Sequence, residues 1–225
     1  MFQILTMNSF TEENYLKAIF KLTEKHDAEI TTNSIAQKIG TKAASVTDML
    51  KKLSDKKLIN YKKYRGVSLT AKGKKVALSI IRKHRLWEVF LVEKLKFKWD
   101  EVHEMAEELE HINSEEMVDR LDKYLGFPKL DPHGDPIPNG NGKIDVPKSR
   151  LLSQLSLNNS AVMIGVVDHT PSFLQYLEKQ GVILGNTIKM KEIIEYDKSL
   201  SISVNGKKIV FISNEAAKNI LVSVK

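Results

Sequence analysis

Residues 32–70 read TNSIAQKIGTKAASVTDMLKKLSDKKLINYKKYRGVSLT, and this stretch decides the fold of the first part of the chain. Thr32 to Ile39 has the spacing of a short helix, with Ile35, Ala36 and Ile39 on one side and Gly40 as its stop. Ala43 to Leu58 predicts a second helix that turns Val46, Met49, Leu50 and Leu53 inward. A short helix, a tight glycine-containing turn and a second helix form the helix-turn-helix pattern. Leu58 to Thr70 then alternates as two strands around a basic turn at Lys63 to Gly66, which reads as a wing. A helix N-terminus with small polar side chains can enter the major groove and reach base edges, while cations on a wing meet phosphates. That geometry selects Thr41, Lys42, Ser45, Thr47 and Asp48 on the second helix, with Lys62, Lys63 and Arg65 on the wing. The plainer alternative makes Lys51, Lys52, Lys56 and Lys57 a solvated helix face.

Working outward, Thr11 is expected to cap a preceding helix over Glu12 to Glu24, whose Tyr15, Leu16, Ile19, Phe20 and Leu22 recur at helical spacing. Glu12 and Glu13 then sit in its first turn, where negative charge meets the helix dipole favourably. Downstream, Lys74 to Lys96 predicts a long helix with Ile80, Ile81, Trp87, Phe90, Leu91 and Leu95 as a broad apolar face that needs a partner helix or subunit. Helices over Asp100 to His111 and Ser114 to Tyr124 follow. Prolines 128, 132, 136, 138 and 147, with Gly134, Gly140 and Gly142, make the next stretch a linker or an ordered loop. The last eighty or so residues change period. Ala161 to Val167 and Thr187 to Ile194 read as strands around a helix from Phe173 to Gln180, and Leu200 to Ile212 reads as a hairpin turning at Asn205-Gly206. Several short strands in so few residues imply a small β-barrel.

Charge follows the same division. Residues 1–75 hold 15 Lys+Arg against 7 Asp+Glu, residues 76–145 hold 10 against 15, and residues 146–225 hold 10 against 6. A basic head before an acidic middle suits a polyanion-binding module followed by a cation-binding one. The chain has no cysteine, so disulfide scaffolds and thiolate sites are excluded and a metal site must use oxygen and nitrogen ligands. Met1 to Leu5 is too short for a secretory leader, and nowhere do about eighteen apolar residues run together as a membrane span requires. The expectation is a cytoplasmic protein with no membrane partner, starting at Met1 or Met7.

His103, Glu107, Glu110 and His111 are spaced i, i+4, i+7 and i+8, which on a helix is one stripe of potential ligands. His84 and Glu88 form a second i, i+4 pair. Two such helices side by side can surround a divalent cation at the ~2.0–2.3 Å its bonds need. A set of carboxylates and imidazoles suits Mn(II) or Fe(II), although affinity alone favours zinc or copper. Alternatively these are solvated acidic helices. A zinc metallohydrolase is a third reading, because His103-Glu104-Met105-Ala106-Glu107 and Glu107-Glu108-Leu109-Glu110-His111 each approach a zincin string. Each has Glu107 where that string has a histidine, and no nucleophile elbow, phosphate loop or dinucleotide fingerprint accompanies them.

With these pieces in order, the chain resembles the diphtheria-toxin-repressor and manganese-transport-regulator family. The resemblance rests on Asn14-Tyr15-Leu16-Lys17-Ala18-Ile19-Phe20, Ala44-Ser45-Val46-Thr47, Lys63 to Gly73, His84-Arg85-Leu86-Trp87-Glu88, and Val102-His103-Glu104 with Glu110-His111. It implies a mainly α chain with small β parts: a winged helix-turn-helix over 1–74, a helical dimerisation and metal-binding domain over 75–145, and an SH3-like, FeoA-like β-barrel over 146–225. It adds Ala44 to the DNA-facing residues. It also implies a primary metal site from Glu107, Glu110 and His111 with Asn14 from helix one, and a neighbouring site from His84, Glu88 and His103. Glutamate at position 107 resembles the manganese branch, since the resemblance implies glutamate there in manganese members and cysteine in iron members. The helix-one ligand of the family is usually aspartate or methionine, and its second acidic position falls on Lys17, so this chain departs from the pattern at both. Asp131-Pro132-His133-Gly134 resembles an accessory-ligand loop, and Asp168-His169 falls where the C-terminal domain reaches the same site, which adds Asp131, His133 and His169. The implied function is a homodimeric repressor that binds palindromic double-stranded operator DNA when loaded with Mn(II) or Fe(II), Zn(II) or Co(II) substituting in vitro, and controls metal uptake. A metal-independent dimeric winged-helix regulator is the competing expectation.

Overall fold

The computed structural model describes residues 8–25, 29–62 and 66–224. These residues form two compact units. The first takes in the described residues up to Lys83 with Glu110–Ile112 and Pro138–Lys143; the second comprises His84–Leu109, Asn113–Ile137 and the described residues from Ile144 onward.

In the first unit, α1 (Phe10–Lys25), α2 (Thr32–Ile39) and α3 (Ala43–Asp55) pack on a two-stranded sheet of β1 (Ile59–Tyr61) and β2 (Val67–Leu69). Leu16, Ile19, Ile35, Leu50, Leu53 and Leu58 are completely or almost completely buried between them. Ser9, not Thr11, starts α1: the Glu12 amide donates to Ser9 Oγ and the Ser9 amide donates to the Glu12 carboxylate, a reciprocal capping box. In α2 the same device joins Thr31 and Ser34, and Gly40 closes the helix in the left-handed conformation. The second helix ends at Asp55, earlier than its apolar spacing predicts, and Leu58 is buried as the chain turns into β1. β1 and β2 are antiparallel with Ile59 opposite Leu69 and Tyr61 opposite Val67, which makes the wing. The wing is tied to the next helix, α4 (Ala71–Glu93), by Thr70. Its hydroxyl donates to the Lys57 carbonyl at 2.8 Å and accepts from the Gly73 amide at 3.1 Å. A side chain at Gly73 would collide with the Leu58 carbonyl, so only glycine allows this approach.

The second unit contains the C-terminal half of α4, α5 (Val102–Leu109), α6 (Glu115–Tyr124) and α7 (Pro171–Gln180). Its six-stranded antiparallel sheet also includes β3 (Arg150–Leu151), β4 (Ser160–Val166), β5 (Thr187–Ile193), β6 (Leu200–Val204), β7 (Lys208–Ile212) and β8 (Ile220–Val224), in the order β3-β8-β4-β5-β6-β7. Register shifts at Met163/Gly165 and Met190/Glu192 bend it around a core of Met163, Leu177, Ile188, Met190, Ile202 and Val222. β8 lies between β3 and β4, yet its residues follow a four-residue helix, α8 (Asn214–Ala217), and alternate too briefly to announce a strand. Leu95, expected on the buried face of the long helix, is 53% exposed because α4 ends at Glu93. The proline-rich stretch is an ordered loop. Asp131 Oδ1 accepts the amides of His133 and Asp135, and Leu130 bridges Pro136. Gly134 in this loop has φ 91°, and a Cβ there would meet the Ile164 carbonyl and Gly165 of β4, so glycine is required where loop and strand touch.

Candidate metal centre and nucleic-acid interface

Glu88 is the centre of the clearest constellation. It lies one turn beyond His84 on α4, is 2% exposed, and receives three imidazoles. His84 Nε2 stands 3.1 Å and His103 Nδ1 3.4 Å from its Oε1, and His133 Nδ1 stands 3.6 Å from its Oε2. Ligand atoms of His84, Glu88 and His103 lie within 4.8 Å of one another, and so do those of Glu88, Asp131 and His133. The histidines are held in orientation. His133 Nε2–H donates to the Trp99 carbonyl at 2.7 Å, which leaves Nδ1 facing Glu88, and its ring stacks with those of Trp99 and His169. His84 and His103 meet edge to face, and His103 also faces Glu107 at 3.6 Å. Arg85 fixes the loop, with Nη2 2.9 Å from Asp135 Oδ2, Nε 3.6 Å from Asp131 Oδ2, and a hydrogen bond to the Pro136 carbonyl.

The electrostatics of this cluster centre on the Glu88 carboxylate. Burial alone would raise the Glu88 carboxyl, but hydrogen bonds to His103, His133 and His84 hold it well below the usual carboxylate range. Burial pulls the His133 imidazole down, yet its contact with Glu88, the charges of Glu88 and Asp131 and the Trp99 carbonyl together push it up to about 9. Burial beside Glu88 and Asp135 pushes the Asp131 carboxyl up, to about 7. Burial lowers the His169 imidazole. Buried nitrogen and oxygen donors turned toward one carboxylate fit a borderline or hard divalent ion, with the partly exposed His103 on the solvent side.

The residues expected beside helix one come together in a different way. Glu110 is fully buried and forms an ion pair with Lys17 of α1, Nζ to Oε1, at 2.5 Å. His111 Nδ1 is 2.7 Å from Glu13 Oε2, its ring stacks on Phe10, and its Nε2 stands 3.9 Å from Glu110 Oε1. Lys83 is also buried there. Burial lowers its ammonium, while the charges of Glu13 and Glu110 oppose that shift. Asn14 Oδ1 is buried with no hydrogen-bond partner among the described residues, so an oxygen donor is present. Sequence reasoning missed Glu13, placing it only in the helix dipole. The available signal was its spacing: three residues before buried Leu16, it shares the inward side of α1.

On the winged helix, Thr41, Lys42, Ala44, Ser45, Asp48 and Lys62 are exposed, and Thr47 is half-buried with its hydroxyl donating to the Ala43 carbonyl. Lys42 precedes α3 with no side-chain cap, which leaves first-turn amides open to an anionic partner. Lys63 and Arg65 lie outside the described residues. Lys52 and Lys56 are not merely a solvated face: both pair with the buried Glu12, at 3.1 and 2.7 Å.

A winged helix followed by a buried His/Glu cluster and a small β-domain defines the class of metal-responsive DNA-binding regulators. Comparison with known proteins makes this specific. Residues 7–67 match the family described as iron dependent repressor, N-terminal DNA binding domain. Residues 70–139 match iron dependent repressor, metal binding and dimerisation domain, and residues 150–224 match the FeoA domain. A solved manganese-dependent transcriptional repressor in complex with manganese is 32% identical, with a TM-score of 0.83, covering 95% of this chain and 100% of that one. The diphtheria toxin repressor of Corynebacterium diphtheriae is 27% identical over 92% of this chain and 94% of its own length. The iron-dependent repressor IdeR of Mycobacterium leprae is 34% identical over 57% of this chain, a match spanning 55% of that repressor's length. The chain belongs to this family of metal-dependent transcriptional repressors. Among the described residues, no helix is long and apolar enough to cross a membrane.

Proposed function

We propose that this protein is a metal-activated, homodimeric repressor whose activating ion, Mn(II) or Fe(II), is held by His84, Glu88 and His103 with Asp131 and His133, His169 packing behind. The observation that carries this reading is the buried Glu88 carboxylate faced by three imidazoles. When bound, the ion supplies the positive charge that lets these donors share one buried centre. Zn(II) or Co(II) would satisfy the same donors in vitro. The Asn14, Glu110 and His111 set is the second candidate centre, with Lys17 already on Glu110.

The division of labour we propose is DNA binding by residues 1–74, dimerisation and metal binding by 75–145, and an SH3-like domain over 146–225 that contributes His169. α4 supports a link between the first two, since one unbroken helix runs from the wing junction through His84 and Glu88. An ion shifts a conformational balance only by binding one arrangement more tightly than the other, so it must favour the spacing of the two winged helices that fits DNA. The exposed Met117 and Tyr124 of α6, with Tyr124 near Phe90, support an apolar dimer surface. Two-fold symmetry implies a palindromic operator with half-sites about 34–36 Å apart or a multiple of that. Thr41, Lys42, Ala44, Ser45, Thr47 and Asp48 would face bases and phosphates, with Lys62, Lys63 and Arg65 on the wing. The regulated genes would be those of metal uptake, in the cytoplasm.

The test is fluorescence anisotropy on candidate palindromes at fixed salt, in chelator and then with Mn(II), Fe(II) or Zn(II). Tightening of at least about tenfold, ~1.4 kcal/mol of coupling, is the expected result. Equal binding with and without chelator would make this a metal-independent winged-helix regulator.

A further inference from the structure

We infer that Lys17 is an internal cation that takes the place of a divalent ion beside helix one, so that each subunit holds one activating ion, at Glu88. This rests on the metal-activated reading above.

Three observations carry it. The Lys17 ammonium lies 2.5 Å from Glu110 Oε1, so the amine already engages the carboxylate oxygen that stands 3.9 Å from His111 Nε2. Both partners are buried, with side-chain exposures of 8% and 0%, which shields their attraction from water and salt. Finally, positive charge already stands there. Two buried ammonium groups, Lys17 and Lys83, lie by the carboxylates of Glu13 and Glu110, and a divalent ion added beside them would be repelled by both. The Glu88 cluster differs: three imidazoles stand against its carboxylate, and no lysine of the described residues pairs with Glu88. Helix one is therefore bonded to Glu110 and His111 directly, with or without metal.

The experiment counts ions bound to the apo dimer by equilibrium dialysis with Mn(II), reading free ion by electron paramagnetic resonance. One ion per subunit is expected in the unsubstituted protein. Two are expected in Lys17→Glu, which adds an oxygen donor, and in Lys17→Met, which uncovers Asn14, Glu110 and His111 without adding charge. Either variant suffices if the other fails to fold. Two ions in the unsubstituted protein, one of them lost in Glu110→Gln, would overturn the inference and leave the metal-activated reading standing. One ion in a folded Lys17 variant would equally overturn it. No ion in the unsubstituted protein would instead overturn the metal-activated reading on which it rests.

Discussion

Glu13 Oε2 and His111 Nδ1 lie 2.7 Å apart, both side chains buried, and the imidazole is stacked on Phe10. The contact closes a separation of 98 residues and fastens the segment Glu110–Ile112 to the first turn of α1. Glu13→Ala strands a buried imidazole without its partner, an expected loss of about 1–3 kcal/mol in unfolding free energy. Urea denaturation measures it, and the loss should be the same in chelator and in Mn(II). Unchanged stability would mean that water replaces the carboxylate at no cost.

Glu88→Gln keeps the size of the side chain and removes the charge toward which His84, His103 and His133 turn. Anisotropy should show the Mn(II) response of DNA binding abolished, a loss of at least about tenfold, ~1.4 kcal/mol. Binding in chelator should stay as it was, since the recognition helix is untouched. Asp131→Asn weakens support for the amides of His133 and Asp135 and should cost about 10–100-fold in Mn(II) affinity. A full metal response in Glu88→Gln would move the activating site elsewhere.

Lys42 and Lys62 are exposed on the winged helix, Lys42 immediately ahead of α3 and Lys62 immediately after β1. If each neutralises one phosphate, alanine at either position flattens the dependence of log K on log salt by about 0.9. The loss should be uniform across operator sequences. Ser45→Ala, by contrast, should change preference among operator variants while leaving the salt slope alone. A uniform loss from Ser45→Ala would make it a phosphate contact.

The winged helix was legible because its signals are local: apolar spacing in α2 and α3, Gly40 as a stop, and alternation in the wing. His84 and Glu88 were legible for the same reason, one turn apart on one helix. What the sequence hides is pairing at a distance. Nothing near Glu13 announces His111, and nothing near Arg85 announces Asp135 fifty residues on. Lys17 could be seen as a departure from the family pattern, but not as the partner of a buried carboxylate. β8 escaped notice because its central place in the sheet comes from long-range pairing with β3 and β4.

Glu12 gives the stability of the winged-helix unit a dependence on acid. Burial would raise its carboxyl, but Lys56, the Ser9 amide and Lys52 outweigh burial and hold it below its ordinary value of 4.5. A carboxyl depressed in the folded state contributes stability above its unfolded pKa and loses it as pH falls through the folded one. The contribution should therefore be complete near pH 7 and decline below 4.5. Lys52 and Lys56 reach solvent, with side chains 55% and 31% exposed, so much of the attraction is screened. Glu12→Gln should then cost only about 1 kcal/mol near neutral pH. Urea denaturation of both proteins at neutral and acid pH decides the cause. A gap that closes in acid assigns the loss to the charge, whereas a constant gap assigns it to the packing and capping geometry of the α1 N-terminus.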